Sequence, residues 1–235
     1  MYYFDGRIRY SEVDSAGKLT LSSLIDYFQD CSSFQSEDLG VGLAFLAQKH
    51  RAWVLNSWQI VVERFPKQGE TVRTGTLPYE MKGFLGLRNF AMLSPDGTYL
   101  AKANSVWSLL DTDTWRPAAM LPEFLARYNI GERLDMEYAS RKINIPEGGR
   151  EGEGIVIRKH HLDTNHHVNN AQYVEMAREC LPEDFRIFRI CAEYRKAAKL
   201  GDVIFPLAAK TGDGYVVSLK SEAGEAYANI MLTGH

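Results

Sequence analysis

The chain has 235 residues, 45% hydrophobic and 24% charged, with a net charge of −3. That length fits one large domain or two small ones, and no apolar run approaches the roughly 18 residues that a transmembrane helix needs. The charge is evenly spread, with 10 Lys and Arg against 12 Asp and Glu in residues 151–235 and 17 against 18 in the rest, so neither half resembles a nucleic-acid or membrane surface.

At the start, MYYFDGRIRYSEVD alternates as a strand does and has neither signal-peptide nor transit-peptide character, which suggests a cytoplasmic protein. Val13-Asp14-Ser15-Ala16-Gly17-Lys18-Leu19-Thr20 then leads into LSSLIDYFQDCSSF, where Leu21, Leu24, Ile25 and Phe28 recur at helical spacing. Four strand segments follow: AWVLNSWQIVVERF, ETVRTGTLPYE, GLRNFAMLSPDGTYLAKA and NSVWSLLDT. Pro95-Asp96-Gly97 supplies turn chemistry for an antiparallel hairpin.

The plan then repeats. Leu162-Asp163-Thr164-Asn165-His166-His167-Val168-Asn169 leads into NAQYVEMAREC, with Tyr173, Val174 and Ala177 on a matching stripe. RICAEYR, DVIFPLAAKT, YVVSLKSE and AYANIMLT read as the strands of this half, with Gly212-Asp213-Gly214 as a hairpin turn. Asp14 aligns with Asp163, Leu24-Ile25-Asp26 with Tyr173-Val174-Glu175, and Gly69-Glu70 with Gly201-Asp202. Each half therefore reads strand, helix, then four antiparallel strands, an α+β plan in which one helix buries its stripe on a curled sheet. Two halves side by side cover an exposed edge and share a core. The halves are taken as residues 1–122 and 150–235, with residues 123–149 as linker.

Residues 160–170 hold four of the six histidines, with Asp163, Asn165, Asn169 and Asn170. Asn169 or Asn170 suits a helix cap, so the second helix is expected to start near residues 168–171. Its unpaired N–H groups carry partial positive charge and can stabilise an oxyanion. Asp163, Asn165 and His167 precede it at alternate positions, and on an extended chain all three point to one side. The carboxylate can take a proton from water or orient the imidazole. The amide can fix the water or donate to a carbonyl, and the imidazole can act as acid–base near neutral pH. Asp163 also fits a plain turn residue, as Asp14 does, and Asn165 likewise. His167 stands out because its counterpart is Lys18, which cannot do the same chemistry. His160, His161 and His166 read as surface or strand residues. The histidines lack the spacing of a helical metal pair, so no metal is expected, and no cofactor either. Cys31, Cys180 and Cys191 are scattered, which argues against a disulfide framework and for a reducing compartment. Cys180 and Cys191 read as small core residues. Arg186, Arg189, Arg195, Lys196 and Lys199 read as a solvated basic face.

The duplicated plan and the D-x-N-x-H-V-N-N-x-x-Y run resemble the acyl-acyl carrier protein thioesterases of the hotdog superfamily. The likeness extends through HRAWVLNSWQIVVERFPKQGETV, NSVWSLLDTDTWRPAAMLPEF and AEYRKAAKLGD, in family order. It implies a tandem double hotdog: two long helices, each wrapped by an antiparallel sheet, joined into one continuous sheet. It implies hydrolysis of fatty acyl-acyl carrier protein, with catalysis in the second half by Asp163, Asn165 and His167, and the acyl chain housed in the first. An acyl carrier protein is the partner implied; nucleic acid and membrane are not, and a homodimer is left open. Acyl-CoA hydrolysis, enoyl-thioester hydration and non-catalytic acyl binding are the alternatives. One departure stands out. The plant members carry Glu-Cys after E-Y-R-R, and here Ala197 and Ala198 stand there, which leaves Asp163 as the candidate base. Glu193 on the neighbouring strand is expected to be structural.

Overall fold

The computed structural model describes residues 1–234. It divides into two compact units: residues 1–56 with 63–138, and residues 57–62 with 139 onward.

Unit 1 contains strand β1 (Tyr2–Arg7), helices α1 (Leu21–Asp38) and α2 (Leu43–Gln48), the first part of β2 (Arg51–Val62), β3 (Thr71–Lys82), β4 (Leu85–Leu93), β5 (Tyr99–Asp111) and the short α3 (Pro122–Leu125). Its sheet runs β1-β3-β4-β5-β2, and the β1–β3, β3–β4 and β4–β5 pairs are antiparallel. Helix α1 forms where the apolar stripe predicts it. Thr20 caps it by accepting the Ser23 N–H, and Leu21, Leu24, Ile25, Phe28 and Cys31 are buried. The Phe28 and Phe90 rings meet at 5.4 Å between helix and sheet. The break after β4 is the tight turn around Gly97, at φ +86°, and β5 runs unbroken from Tyr99 through Asn104, where the sequence reading divided it into two segments.

Unit 2 contains β6 (Arg150–Glu151), β7 (Ile155–Val156), α4 (Asn170–Arg178), β8 (Ile187–Tyr194), β9 (Val203–Lys210), β10 (Gly214–Lys220) and β11 (Ala226–Gly234). Residues 57–61 of β2 pair antiparallel with β8, and the order continues β11-β10-β9-β6, with β7 also on β9. Only one of the two helices is long: α1 has 18 residues and α4 has nine. Pro182, just past the last turn of α4, cannot donate a helical hydrogen bond, and the Arg178 guanidinium closes that end on the Pro182 and Glu183 carbonyls.

The segment read as linker packs closely. Phe124 and Tyr128 enter a core with Val41, Leu46, Leu109 and Met120. The Leu134 N–H and the Tyr138 hydroxyl both donate to buried Asn89 at 3.0 Å. In unit 2, the Ala139 N–H donates to Gln59 and Ile143 packs on Cys191 and Val216. Among the described residues, no helix is long and apolar enough to cross a membrane.

Candidate active site

Both units enter their helix through the same turn. In unit 1 one Asp14 carboxylate oxygen accepts the N–H groups of Ala16 and Lys18, each at 2.9 Å, and the Asp14 N–H donates to the Lys18 carbonyl at 2.8 Å. In unit 2 one Asp163 oxygen accepts the N–H of Asn165 at 2.8 Å and of His167 at 3.2 Å, and the Asp163 N–H donates to the His167 carbonyl at 2.8 Å. The run 163–167 is therefore not extended, as the alternation reading required. Two bonds into one carboxylate oxygen draw it into a loop, closed by the Leu162–Val168 bridge and passing through His166 at φ +60°.

The likeness reaches outward from that loop. Thr20 and Asn169 cap their helices, the latter by accepting the Ala171 N–H at 2.9 Å. Before the loop, the Arg9 N–H donates to the Glu12 carboxylate at 2.7 Å, and the Arg158 N–H donates to His161 Nδ1 at 3.0 Å. His161 thus does the work of Glu12, and burial, then His160 and Arg158, hold its pKa below the ordinary histidine value. His160 is exposed, its ring 4.1 Å from that of His161, and His166 is exposed at the turn. Three of the four histidines are accounted for as loop and surface groups.

The difference between the units lies at two positions. Where unit 1 has Ala16 and Lys18, unit 2 has exposed Asn165 and half-buried His167, one on the loop tip and one leading into the helix. Half-buried Asp163 stands between them in the hydrogen-bond pattern. All three lie on the turn that leads into α4, whose first residues carry the positive end of the helix dipole.

A second loop closes on the same place. The Val168 N–H donates to the Ala198 carbonyl at 3.0 Å, and the Ala198 N–H donates to the Tyr173 hydroxyl at 2.8 Å. The Tyr194 hydroxyl donates to the Asn170 carbonyl at 3.0 Å, with the two phenol rings 5.9 Å apart. Burial pushes Tyr173 up to about 12 and raises Tyr194 as well, so both stay neutral and serve as hydrogen-bonding posts. Sequence reasoning placed Tyr173 on the apolar stripe and at the end of the D-x-N-x-H-V-N-N-x-x-Y run, without a role for its hydroxyl. The available signal was its alignment with Leu24, a hydroxyl gained where the first copy has none. Ala198 is buried and Ala197 exposed on this loop, so the segment that adjoins the helix start carries neither carboxylate nor thiol at those two positions.

The remaining candidates have other occupations. Glu193 accepts from the Ile143 N–H, from Asn229 at 3.1 Å and from Arg195 at 3.1 Å. Cys180 lies past the far end of α4, donates to the Met176 carbonyl, and is held above the usual thiol pKa by burial. Cys191 is buried within β8. Among the described residues, no three His, Cys, Asp or Glu side chains are grouped as metal ligands.

Comparison with known proteins finds two family domains in succession along the chain. The model of the acyl-ACP thioesterase N-terminal domain matches residues 2–128, and that of the C-terminal domain matches residues 149–231. The chloroplastic acyl-[acyl-carrier-protein] hydrolase FATB1 of Cuphea viscosissima is 25% identical over 84% of this chain and 51% of its own length. The chloroplastic dodecanoyl-[acyl-carrier-protein] hydrolase of Umbellularia californica is 24% identical over 92% of this chain and 60% of its own. The chain thus spans about half the length of the first curated relatives it matches. Its fold matches that of an acyl-ACP thioesterase from Bacteroides thetaiotaomicron with a TM-score of 0.91, at 24% identity, covering 99% of this chain and 97% of that one. On these matches, which run through both units, the chain belongs to the acyl-ACP thioesterase family.

Proposed function

We propose that the protein hydrolyses fatty acyl-acyl carrier protein to a free fatty acid and the carrier protein. We read its architecture as two hotdogs in tandem, unit 1 housing the acyl chain and unit 2 performing the reaction. The observation that carries this reading is the duplicated turn. The same Asp-bonded loop opens both helices, and only the second places an amide and an imidazole on it.

The chemistry follows from that placement. A thioester carbonyl at the start of α4 meets helix N–H groups that stabilise the oxyanion formed on attack by water. Asn165 fixes the water or the carbonyl. His167 takes the proton from water and returns one to the departing thiolate. Asp163 shapes the loop with one carboxylate oxygen and orients the imidazole or polarises the water with the other. With alanine at 197 and 198, no acid or thiol from that loop takes part. The three cysteines form no disulfide, which fits a cytoplasmic setting.

Hydrolysis of acyl-acyl carrier proteins of graded chain length tests the reading. His167→Ala and Asn165→Ala should each lower turnover about 100- to 1000-fold, the usual loss when one stabilising group is removed. Near-normal turnover in both would take the reaction away from the start of α4. Faster hydrolysis of matched acyl-CoA than of the carrier-protein thioester would replace the substrate and keep the site.

A further inference from the structure

Unit 1 buries one charged side chain among the described residues, Arg88 on β4, which is 7% exposed. All its partners are neutral. Its Nη1 donates to the Gln35 side-chain carbonyl at 2.5 Å and to the Thr76 hydroxyl at 3.1 Å, and the guanidinium lies over the Tyr128 ring, 5.4 Å from its centroid. A buried guanidinium without a carboxylate is costly, and two neutral acceptors offset only part of that cost. Close by, on the same face of β3 as Thr76, the hydroxyl of Thr74 is fully buried and has no hydrogen-bond partner. The Thr74 carbonyl accepts the Cys31 thiol, which places both on the α1 side of the sheet. The cluster thus holds a buried cation with no anion against it and, close by, a buried hydroxyl with no partner.

The surroundings are apolar and aromatic. Phe28 and Cys31 share the stripe of α1 that carries Gln35, and Phe90 shares the face of β4 that carries Arg88. Phe28, Cys31 and Phe90 are fully buried. A ligand that satisfies both parts of this interior has a planar anion for the guanidinium fork and a hydrocarbon chain for the rings. We infer that the interior of unit 1 is a receptor for an aliphatic carboxylate, with Arg88 pairing the carboxylate, Thr74 donating to it, and the aromatic lining taking the chain. Two sources supply that chemistry: a free fatty acid, or an acyl chain that ends in a second carboxylate. The place given to the chain rests on the reading of unit 1 as the acyl housing, whereas the pairing of the carboxylate with Arg88 uses no residue of the α4 turn and is tested separately from it.

Titration calorimetry on the whole protein with dodecanoate and with 1-dodecanol, below their aggregation limits, tests the inference. Wild type should bind dodecanoate at least about tenfold more tightly than the alcohol, in line with the strength of charge-assisted pairing. That preference should vanish in Arg88→Met, survive partly in Arg88→Lys, and persist in His167→Ala. Equal binding of acid and alcohol by wild type would overturn the inference, as would a preference that outlasts Arg88→Met. So would a preference lost in His167→Ala alone, since the carboxylate would then sit at the α4 turn. If Arg88→Met does not fold, thermal melting of wild type decides: dodecanoate should raise the midpoint and the alcohol should not, and equal shifts refute the receptor. The source is told by a second arm, a comparison of plain and ω-carboxylated dodecanoyl thioesters. Arg88-dependent preference for the ω-carboxylated thioester supports the receptor with substrate as the source. Arg88-dependent inhibition by free dodecanoate supports it with product as the source.

Discussion

His166 holds φ +60° at the point of the loop where unit 1 has Gly17 at φ +70°. A side chain there strains the backbone, and glycine does not, although glycine gives up some of the gain by loosening the unfolded chain. His166→Gly should therefore raise stability by about 0.5 kcal/mol, read from the urea midpoint, and leave hydrolysis intact. Asp163 needs a finer substitution, because its carboxylate serves both loop and chemistry. Asp163→Asn keeps an oxygen to accept the Asn165 and His167 N–H groups and removes the charge. Turnover should collapse while stability changes by no more than about 1 kcal/mol, whereas Asp14→Asn should show the small stability change alone. The motif singled out Asp163, Asn165 and His167 by type and spacing, and the turn that holds them matches the one at Asp14. The double use of one carboxylate was not legible, since alternation implies an extended chain and says nothing of which oxygen is already bonded.

Helix α4 has nine residues, short enough that its ends matter more than its propensity. Asn169 supplies the only side-chain cap described at its start, and the Asn170 carbonyl just inside is held by half-buried Tyr194. Asn169→Ala should cost about 1 kcal/mol in chemical denaturation, and it should also lower hydrolysis, because the N–H groups proposed to hold the oxyanion begin there. Thr20→Ala removes the matching cap of α1 and should affect stability without touching the reaction. At this scale much was readable in advance. The stripe from Leu21 to Phe28 gave α1, and the glycine turns gave the hairpins. The length of α4 was overestimated because its periodicity continues past Arg178, where Pro182 overrules it. The single strand through Asn104 was missed because a polar residue there resembles a break, although strand neighbours hold it in register.

Across the molecule, tyrosines couple stability to alkaline pH. Burial pushes Tyr27, Tyr79 and Tyr173 up to about 12 and raises Tyr194 too, and the hydrogen bond to Asp38 does the same for Tyr2. The unfolded chain releases these protons near 10.0 while the folded chain keeps them. Their contribution is complete below pH 10 and is lost as the pH climbs toward 12. Denaturant midpoints measured across that range should fall steeply, and ultraviolet titration of the native protein should lag that of the unfolded chain. A flat profile would mean that these phenols are open to solvent. The duplicated α+β plan was readable from sequence because the Asp14 and Asp163 segments repeat with their flanking helices and strands. The tight packing of residues 124–143 was not, because these residues have no counterpart in the repeat.

Strand β2 changes allegiance at residue 57: its first part builds the sheet of unit 1, and residues 57–61 pair with β8 of unit 2. The gene therefore cannot be cut into two independent pieces at the chain's apparent midpoint. A fragment starting at residue 139 would leave the edge of β8 bare and prone to self-association. Such a fragment should become soluble when a peptide spanning residues 51–62 is supplied in trans, a form of complementation open to a duplicated protein whose halves have exchanged the ownership of a strand.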